Sequence, residues 1–334
     1  MNLGGSVRIN KCAVISLIAF VVILIYIFSP SPGTSLENVA KSQQQVNLRK
    51  LVIGLILAAS AGGKEVKKVS SEPDFGTKTK GKTKEGVDDP VTQADVFSHC
   101  SIAHGLWRIF PTLELISEED VQKKNCPTVE FPFDLDPSVL SSVELPDNIN
   151  VATSDVTVWI DPLDATKEFT EKLFHYVSVM ICVAIKGEPV IGVVHFPFNQ
   201  KTYWAWKGHG ASENLDGVKP DHDAKKSPIV VVSRSHAGEV EALARKMFGE
   251  KVKIIPAAGS GYKIIQVLKD NATIYLHNTH IKKWDLCAGN AIVNAVGGKM
   301  TTLKGNPISY AADSGHVVDD GLLVELNKNV ILNV

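Results

Sequence analysis

"VWIDPLDATKEFTE", residues 158–171, carries an apolar run that ends in two carboxylates three positions apart, Asp161 and Asp164. The run "VTVWI" reads as a strand, and Pro162 fixes a sharp turn behind it. That turn lets both aspartates and the carbonyl of Leu163 point at one place. Ala165, Thr166 and Lys167 then open a helix, whose free N–H groups can hold a phosphate oxygen. Two carboxylates at a strand end call for positive charge from elsewhere.

Working outward, three more acidic stations each close an apolar stretch: Asp95 in "DDPVTQAD", Glu118 with Glu119 in "LISEED", and Asp285 in "KKWDLCAGN". Taken singly, each reads as a helix cap or a surface charge. Brought together they would repel one another unless cations neutralised them, and all-oxygen ligands suit a hard divalent ion such as magnesium. The hydroxyl of Thr166 can position a water whose proton Asp95 accepts. This is the pattern of two-metal phosphoester hydrolysis, with the ions serving the attacking water and the leaving oxygen.

Around these stations the chain reads as a layered mixture of helices and strands. "LRKLVIGLILAASAGGKEVKKV" is apolar almost all round from Leu51 to Ala59 but too short to span a bilayer, so it predicts a buried helix. "FGTKTKGKTKEG" (75–86) has no apolar periodicity and reads as a basic loop or hairpin tip, either a solvated turn or a lure for anionic substrate. "DVFSHCSIAHGLWRIFP" (95–111) predicts a second amphipathic helix, ended by Pro111. "YVSVMICVAIKGEPVIGVVHFP" (176–197) predicts a hairpin turning at Lys186–Pro189, and "KTYWAWKGHGA" continues the antiparallel pattern. Beyond about residue 225, strands alternate with helices, which implies a partly parallel α/β region. The chain after residue 47 is therefore divided into an N-terminal α+β half over 48–225 and a C-terminal α/β half over 226–334.

The 334 residues, 44% of them hydrophobic, suffice for a sizeable core, and a net charge of −1 excludes a general nucleic-acid binder. "CAVISLIAFVVILIYIF" (12–28) is an unbroken apolar run, preceded by Arg8 and Lys11. It predicts a single-pass signal-anchor with residues 1–11 cytoplasmic, 29–47 a linker and the rest luminal; a cleaved signal peptide is the rival. The five cysteines, at 12, 100, 126, 182 and 287, show no metal-ligand spacing. Buried free thiols are expected for most of them, with room for one disulfide in an oxidising lumen and no pair singled out. Asn271-Ala-Thr273 is an N-glycosylation acceptor at a predicted helix-to-strand turn.

"DPVTQAD", "ISEED", "WIDPLDATKEFTE" and "WDLCAGNA" resemble, in this order, the motifs of the lithium-sensitive, magnesium-dependent phosphomonoesterases of the inositol monophosphatase family. The resemblance covers roughly residues 48–330. Ala165 stands where that family more commonly has glycine. The fold implied is a layered αβαβα sandwich, here behind one transmembrane helix. The resemblance also implies that Glu118, Asp161 and the Leu163 carbonyl hold a first metal ion, and Asp161, Asp164 and Asp285 a second. Two or three magnesium ions per site and inhibition by lithium are expected. Asp95 and Thr166 would be the proton-accepting pair.

"VVSRSH" and "AGSGYK", with the anchor, are similar to the members that remove the 3′-phosphate from 3′-phosphoadenosine 5′-phosphate in the Golgi lumen. On that likeness Ser233, His236, Gly259, Lys263 and Asp285 contact the nucleotide. An inositol phosphate phosphatase on the same metal core is the enzymatic rival, and a catalytically silent anchored scaffold the non-enzymatic one. Oligomeric state stays open, a homodimer included. "GSGYK" lacks the third glycine of a dinucleotide fingerprint, and His277 and His280 lack partners at zinc-ligand spacing.

Overall fold

The computed structural model describes residues 44–82, 88–119, 144–218, 228–234 and 237–326, together with Phe20, Gly86, Asn125, Cys126 and Leu135. Apart from Phe20, the apolar run 12–28 expected to be the anchor lies outside the described residues. Among the described residues no helix is long and apolar enough to cross a membrane.

Two helices begin the domain: α1 (Leu48–Val69) and α2 (Gln93–Ile109). The Asn47 side chain caps α1 by accepting from the Lys50 N–H at 3.0 Å, and Lys67 and Lys68 sit in the last turn, where the helix dipole favours cations. The helix spans the stretch that predicts it, apolar almost all round to Ala59 and burying one face only in its later turns. Gly62 lets the two helices approach closely, since a methyl group there would meet the Ser98 hydroxyl and Ile102. Between them, β1 (Lys78–Lys82) and β2 (Asp88–Val91) form the expected basic hairpin, with β1 exposed throughout.

The first sheet contains β3 (Glu114–Ser117), β4 (Val156–Asp164), β5 (Ser178–Ile185), β6 (Glu188–Phe196), β7 (Lys201–Trp206) and β8 (Gly210–Ala211). Their order is β8-β7-β6-β5-β4-β3, antiparallel except for the parallel β3–β4 pair. Strand alternation divides β4 between two cores: Val156, Val158 and Ile160 pack with α1 and α2, and Trp159 packs on the other side. That other side is covered by α5 (Ser260–Leu268) and α6 (Trp284–Ala295). Behind them lies a second sheet of β9 (Ile229–Ser233), β10 (Lys253–Ala257), β11 (Ile274–His277), β12 (Lys299–Thr301) and β13 (Leu322–Glu325). Its order is β10-β9-β11-β13-β12, with β9 parallel to both neighbours. Helix α4 (Ala237–Phe248) joins the chain to a third apolar cluster on the far face of this sheet, and the short α3 (Thr166–Thr170) follows β4. Helices, sheet, helices, sheet and helix make the five expected layers.

The cysteines correct the free-thiol expectation. Cys100 of α2 is bonded to Cys126, and Cys182 of β5 to Cys287 of α6. Both partners of the second bond are buried in the layer between the sheets. Pairings over separations of 26 and 105 residues leave no local trace for sequence reading to use.

Candidate active site

The acidic stations converge where β3 and β4 end and α6 begins. Glu118, Asp161 and Asp285 each present a carboxylate oxygen within 4.8 Å of the others. Strand β4 bulges between Asp161 and Asp164, where its pairing with β5 slips, and this aims both aspartates at the strand end. Asp161 Oδ1 accepts the Leu163 N–H at 3.1 Å, while its buried Oδ2 has no hydrogen-bond partner among the described residues. The Glu118 N–H is tied to the Ile160 carbonyl at 3.0 Å, fixing β3 against β4 at the site.

Asp164 is held differently. Its Oδ1 accepts the Ser260 N–H (3.0 Å), and its Oδ2 the Gly261 N–H (2.9 Å) and the Ser178 hydroxyl (3.1 Å). The first turn of α5 therefore reaches across from the C-terminal half to grip this carboxylate, at the helix end that favours negative charge. Gly259 makes the approach feasible. A Cβ there would lie 2.8 Å from the Tyr176 carbonyl and 3.0 Å from Asp164 Oδ2, and its φ is +67°.

Asp95 sits in the first turn of α2, completely buried, and forms a capping box with Thr92. Its Oδ2 accepts the Thr92 N–H (2.7 Å) and hydroxyl (2.6 Å). The Thr166 hydroxyl donates to Asp95 Oδ1 at 2.9 Å, with the Leu163 carbonyl as its alternative acceptor at 3.1 Å. Ala165, between the acidic turn and this threonine, has φ +70° and ψ +46°, left-handed backbone that glycine adopts without penalty. Ala165→Gly should raise stability by up to about 1 kcal/mol, the roughly 1–2 kcal/mol left-handed penalty less glycine's entropic cost. Urea unfolding checks this; a loss of stability would show that the turn carries no strain.

Burial and mutual repulsion raise the pKa values of these acids. Burial pushes Asp95 up to about 6 and Glu118 up to about 7, the latter against the opposing pull of Lys80. Asp161 and Asp285 are driven well above the carboxylate range by burial and then by the neighbouring carboxylates, and Asp164 is raised by burial against Lys263. An orphaned buried oxygen inside an all-carboxylate cluster fits a hard divalent cation. The metal-free folded protein thus holds protons that the unfolded chain releases, and its stability falls as pH rises from about 4 through about 7. Magnesium needs those carboxylates ionised. It should raise the melting temperature more at pH 8 than at pH 6, and the reverse order in thermal scans would disconnect the cluster from the ion.

Two lysines supply counter-charge that sequence reading did not assign. Lys80 of the basic hairpin pairs with Glu118 at 2.9 Å and also with Glu119. Burial alone would lower its ammonium, but these two glutamates hold it above the ordinary lysine value. The alternating lysines of "KTKGKTK" were the visible signal; their target, 38 residues on, was not. Lys263, expected at the nucleotide, is 4% exposed, with its ammonium 5.0 Å from the centre of the Tyr275 ring. Burial lowers it to about 8 against the attraction of Asp164, Glu168 and Asp285. It lies beneath the acidic cluster, not at an open surface, because α5 turns that face inward. Ser233 ends β9 half-buried, and the next residue, Arg234, reaches Glu171 of the acidic-turn segment at 3.2 Å and Glu168 of α3 at 3.6 Å. His236 lies outside the described residues. Asn271 is exposed in the turn after α5.

A five-layered fold that gathers clustered carboxylates beside a buried aspartate–threonine pair defines a phosphatase, a hydrolase of phosphoric monoesters. Residues 47–331 match the inositol monophosphatase family, and the chain belongs to that family. A Drosophila melanogaster protein provisionally named inositol monophosphatase 3 is 46% identical over 98% of this chain and 93% of its own length. The mouse Golgi-resident adenosine 3′,5′-bisphosphate 3′-phosphatase is 40% identical, covering 89% of this chain and 83% of its own. Among solved structures, the extragenic suppressor protein SuhB of Bartonella henselae shares the fold with a TM-score of 0.62 at 18% identity, over 83% of this chain and 94% of that one.

Proposed function

We propose that this chain is a magnesium-dependent phosphatase that removes the 3′-phosphate of 3′-phosphoadenosine 5′-phosphate, giving AMP and inorganic phosphate. The observation that carries the catalytic part is the convergence of Glu118, Asp161 and Asp285 within 4.8 Å. Glu118, Asp161 and the Leu163 carbonyl would hold one ion, and Asp161, Asp164 and Asp285 a second. Magnesium supplies charge neutralisation at the phosphate and a lower pKa for the attacking water. The protein's own part in proton transfer falls to Thr166 and Asp95. The threonine hydroxyl donates to Asp95 Oδ1, so its lone pairs are free to orient a water, and a carboxylate pushed up to about 6 accepts a proton near neutral pH. The short helix α3 begins directly behind the acidic turn, and the backbone N–H groups of its first turn would suit a phosphate oxygen.

The nucleotide assignment draws on the name of the mouse relative and on the "SRSH" segment. Ser233 and His236 are the proposed nucleotide contacts, and Gly259 acts through the backbone of α5. The Golgi lumen is proposed as the location. The apolar run 12–28 would be a type II anchor, with Asn271 open to glycosylation and lithium inhibiting in place of magnesium. An inositol phosphate is the competing substrate. Full-length protein in membranes, given magnesium and each phosphomonoester in turn, should release phosphate from the nucleotide with the larger kcat/KM. Preference for inositol phosphate would overturn the assignment. Because its ammonium is buried against Asp164, Glu168 and Asp285, Lys263→Ala should depress turnover of both substrates alike.

A further inference from the structure

Three observations on one helix bear on how the acidic cluster keeps its shape. Ser98 and His99 follow Asp95 by three and four positions on α2, so all three lie on neighbouring helical positions, and all three are buried. Ser98 Oγ donates to the Pro162 carbonyl at 2.7 Å. That carbonyl belongs to the bulge of β4 between Asp161 and Asp164, where the ladder with β5 is interrupted. His99 Nδ1 shares a hydrogen bond of 2.8 Å with the Ser117 hydroxyl, on the residue directly before Glu118. Cys100, next along, is covalently joined to Cys126, beyond the Glu118–Glu119 pair. Successive side chains of α2 therefore grip both segments that bear the acids.

We infer that His99 and Ser98 are positioning residues for the candidate metal ligands: His99 sets Glu118 through the Ser117 hydroxyl, and Ser98 sets Asp161 through the Pro162 carbonyl. This rests on the metal-dependent reading above. Groups that orient a ligating side chain without touching the ion commonly change metal affinity by roughly 10–100-fold when removed. β3 is an edge strand paired on one side to β4, with Leu115 and Ile116 packed against the cores on its two faces. The His99–Ser117 bond adds a polar restraint, from the helix layer.

The test is a double-mutant cycle on the full-length protein, with manganese(II) affinity read by electron paramagnetic resonance and folding read by thermal melting. His99→Ala and Ser117→Ala should each weaken manganese binding by about tenfold, and the double variant by clearly less than the two losses combined, because both changes break the same His99–Ser117 bond. His99→Asn, whose amide can replace the Nδ1 contact, should restore affinity. Unchanged affinity in the single variants, or losses that add in the double, would overturn the inference. Should His99→Ala fail to fold, Ser117→Ala and His99→Asn decide the matter by the same readout. Failure of the metal reading is a separate result: the wild type itself would bind no manganese, or would bind it unaffected by Asp285→Asn.

Discussion

Asp161→Asn is expected to remove turnover while making the metal-free protein more stable. Asp161 is 1% exposed, one of its oxygens has no hydrogen-bond partner among the described residues, and Glu118, Asp164 and Asp285 all repel its charge. An amide of the same shape relieves that repulsion, so the melting temperature in EDTA should rise. With magnesium present the order should invert, because the variant loses a charged ligand and with it most of the stabilisation that binding confers. Turnover should fall by roughly 10²–10³, equivalent to about 3–4 kcal/mol of transition-state stabilisation. Activity within a few-fold of the wild type would remove Asp161 from the reaction. A lower melting temperature in EDTA would show that the aspartate contributes to the fold.

Gly192→Ala should be the most damaging single-methyl change away from the acids. Gly192 lies on β6, directly opposite Cys182 on β5, and α6 crosses it so closely that a Cβ would collide with the Ala288 carbonyl. Backbone cannot rotate aside as a side chain can, so α6 must shift. Overpacking of this kind costs about 3 kcal/mol at its upper range. Asp285 stands in the first turn of the same helix, and Cys287 ties that turn to the strand beside Gly192. The variant should therefore lose both denaturant midpoint and magnesium affinity. A drop in midpoint with unchanged affinity would show that Asp285 is set by its own turn and not by the docking of α6.

The parts of this molecule written in the sequence are those with local causes. The apolar run behind Asp161, the helix around Leu51–Ala59 and the hairpin near Gly187 declare themselves within a few positions. The acidic stations were legible because charge at the end of an apolar run is costly without a partner. What stayed hidden depends on pairs far apart in the chain. Nothing near Lys80 points to Glu118, and nothing near Asp164 points to the N–H groups of Ser260 and Gly261, 96 and 97 residues away. Lys263 was expected at the nucleotide on the likeness of its motif alone, which says nothing of its burial. Its helix turns that side inward, where a single cation balances several acids. The disulfides fall in the same class, set by the packing of layers and not by spacing.

The two disulfides also imply an order of assembly. Cys100 and Cys126 are close in sequence and leave the ribosome early, so their bond can close while the second sheet does not yet exist. Cys182 must wait for Cys287, which follows three of that sheet's five strands and all of α5. Until then β5 carries an exposed thiol and a bare apolar face, a state in which a nascent chain needs protection from wrong partners. The acidic cluster is completed by the same late event, because Asp285 arrives with Cys287 on one helical turn. A chain halted before residue 285 would own most of the cluster's residues and none of its closed geometry.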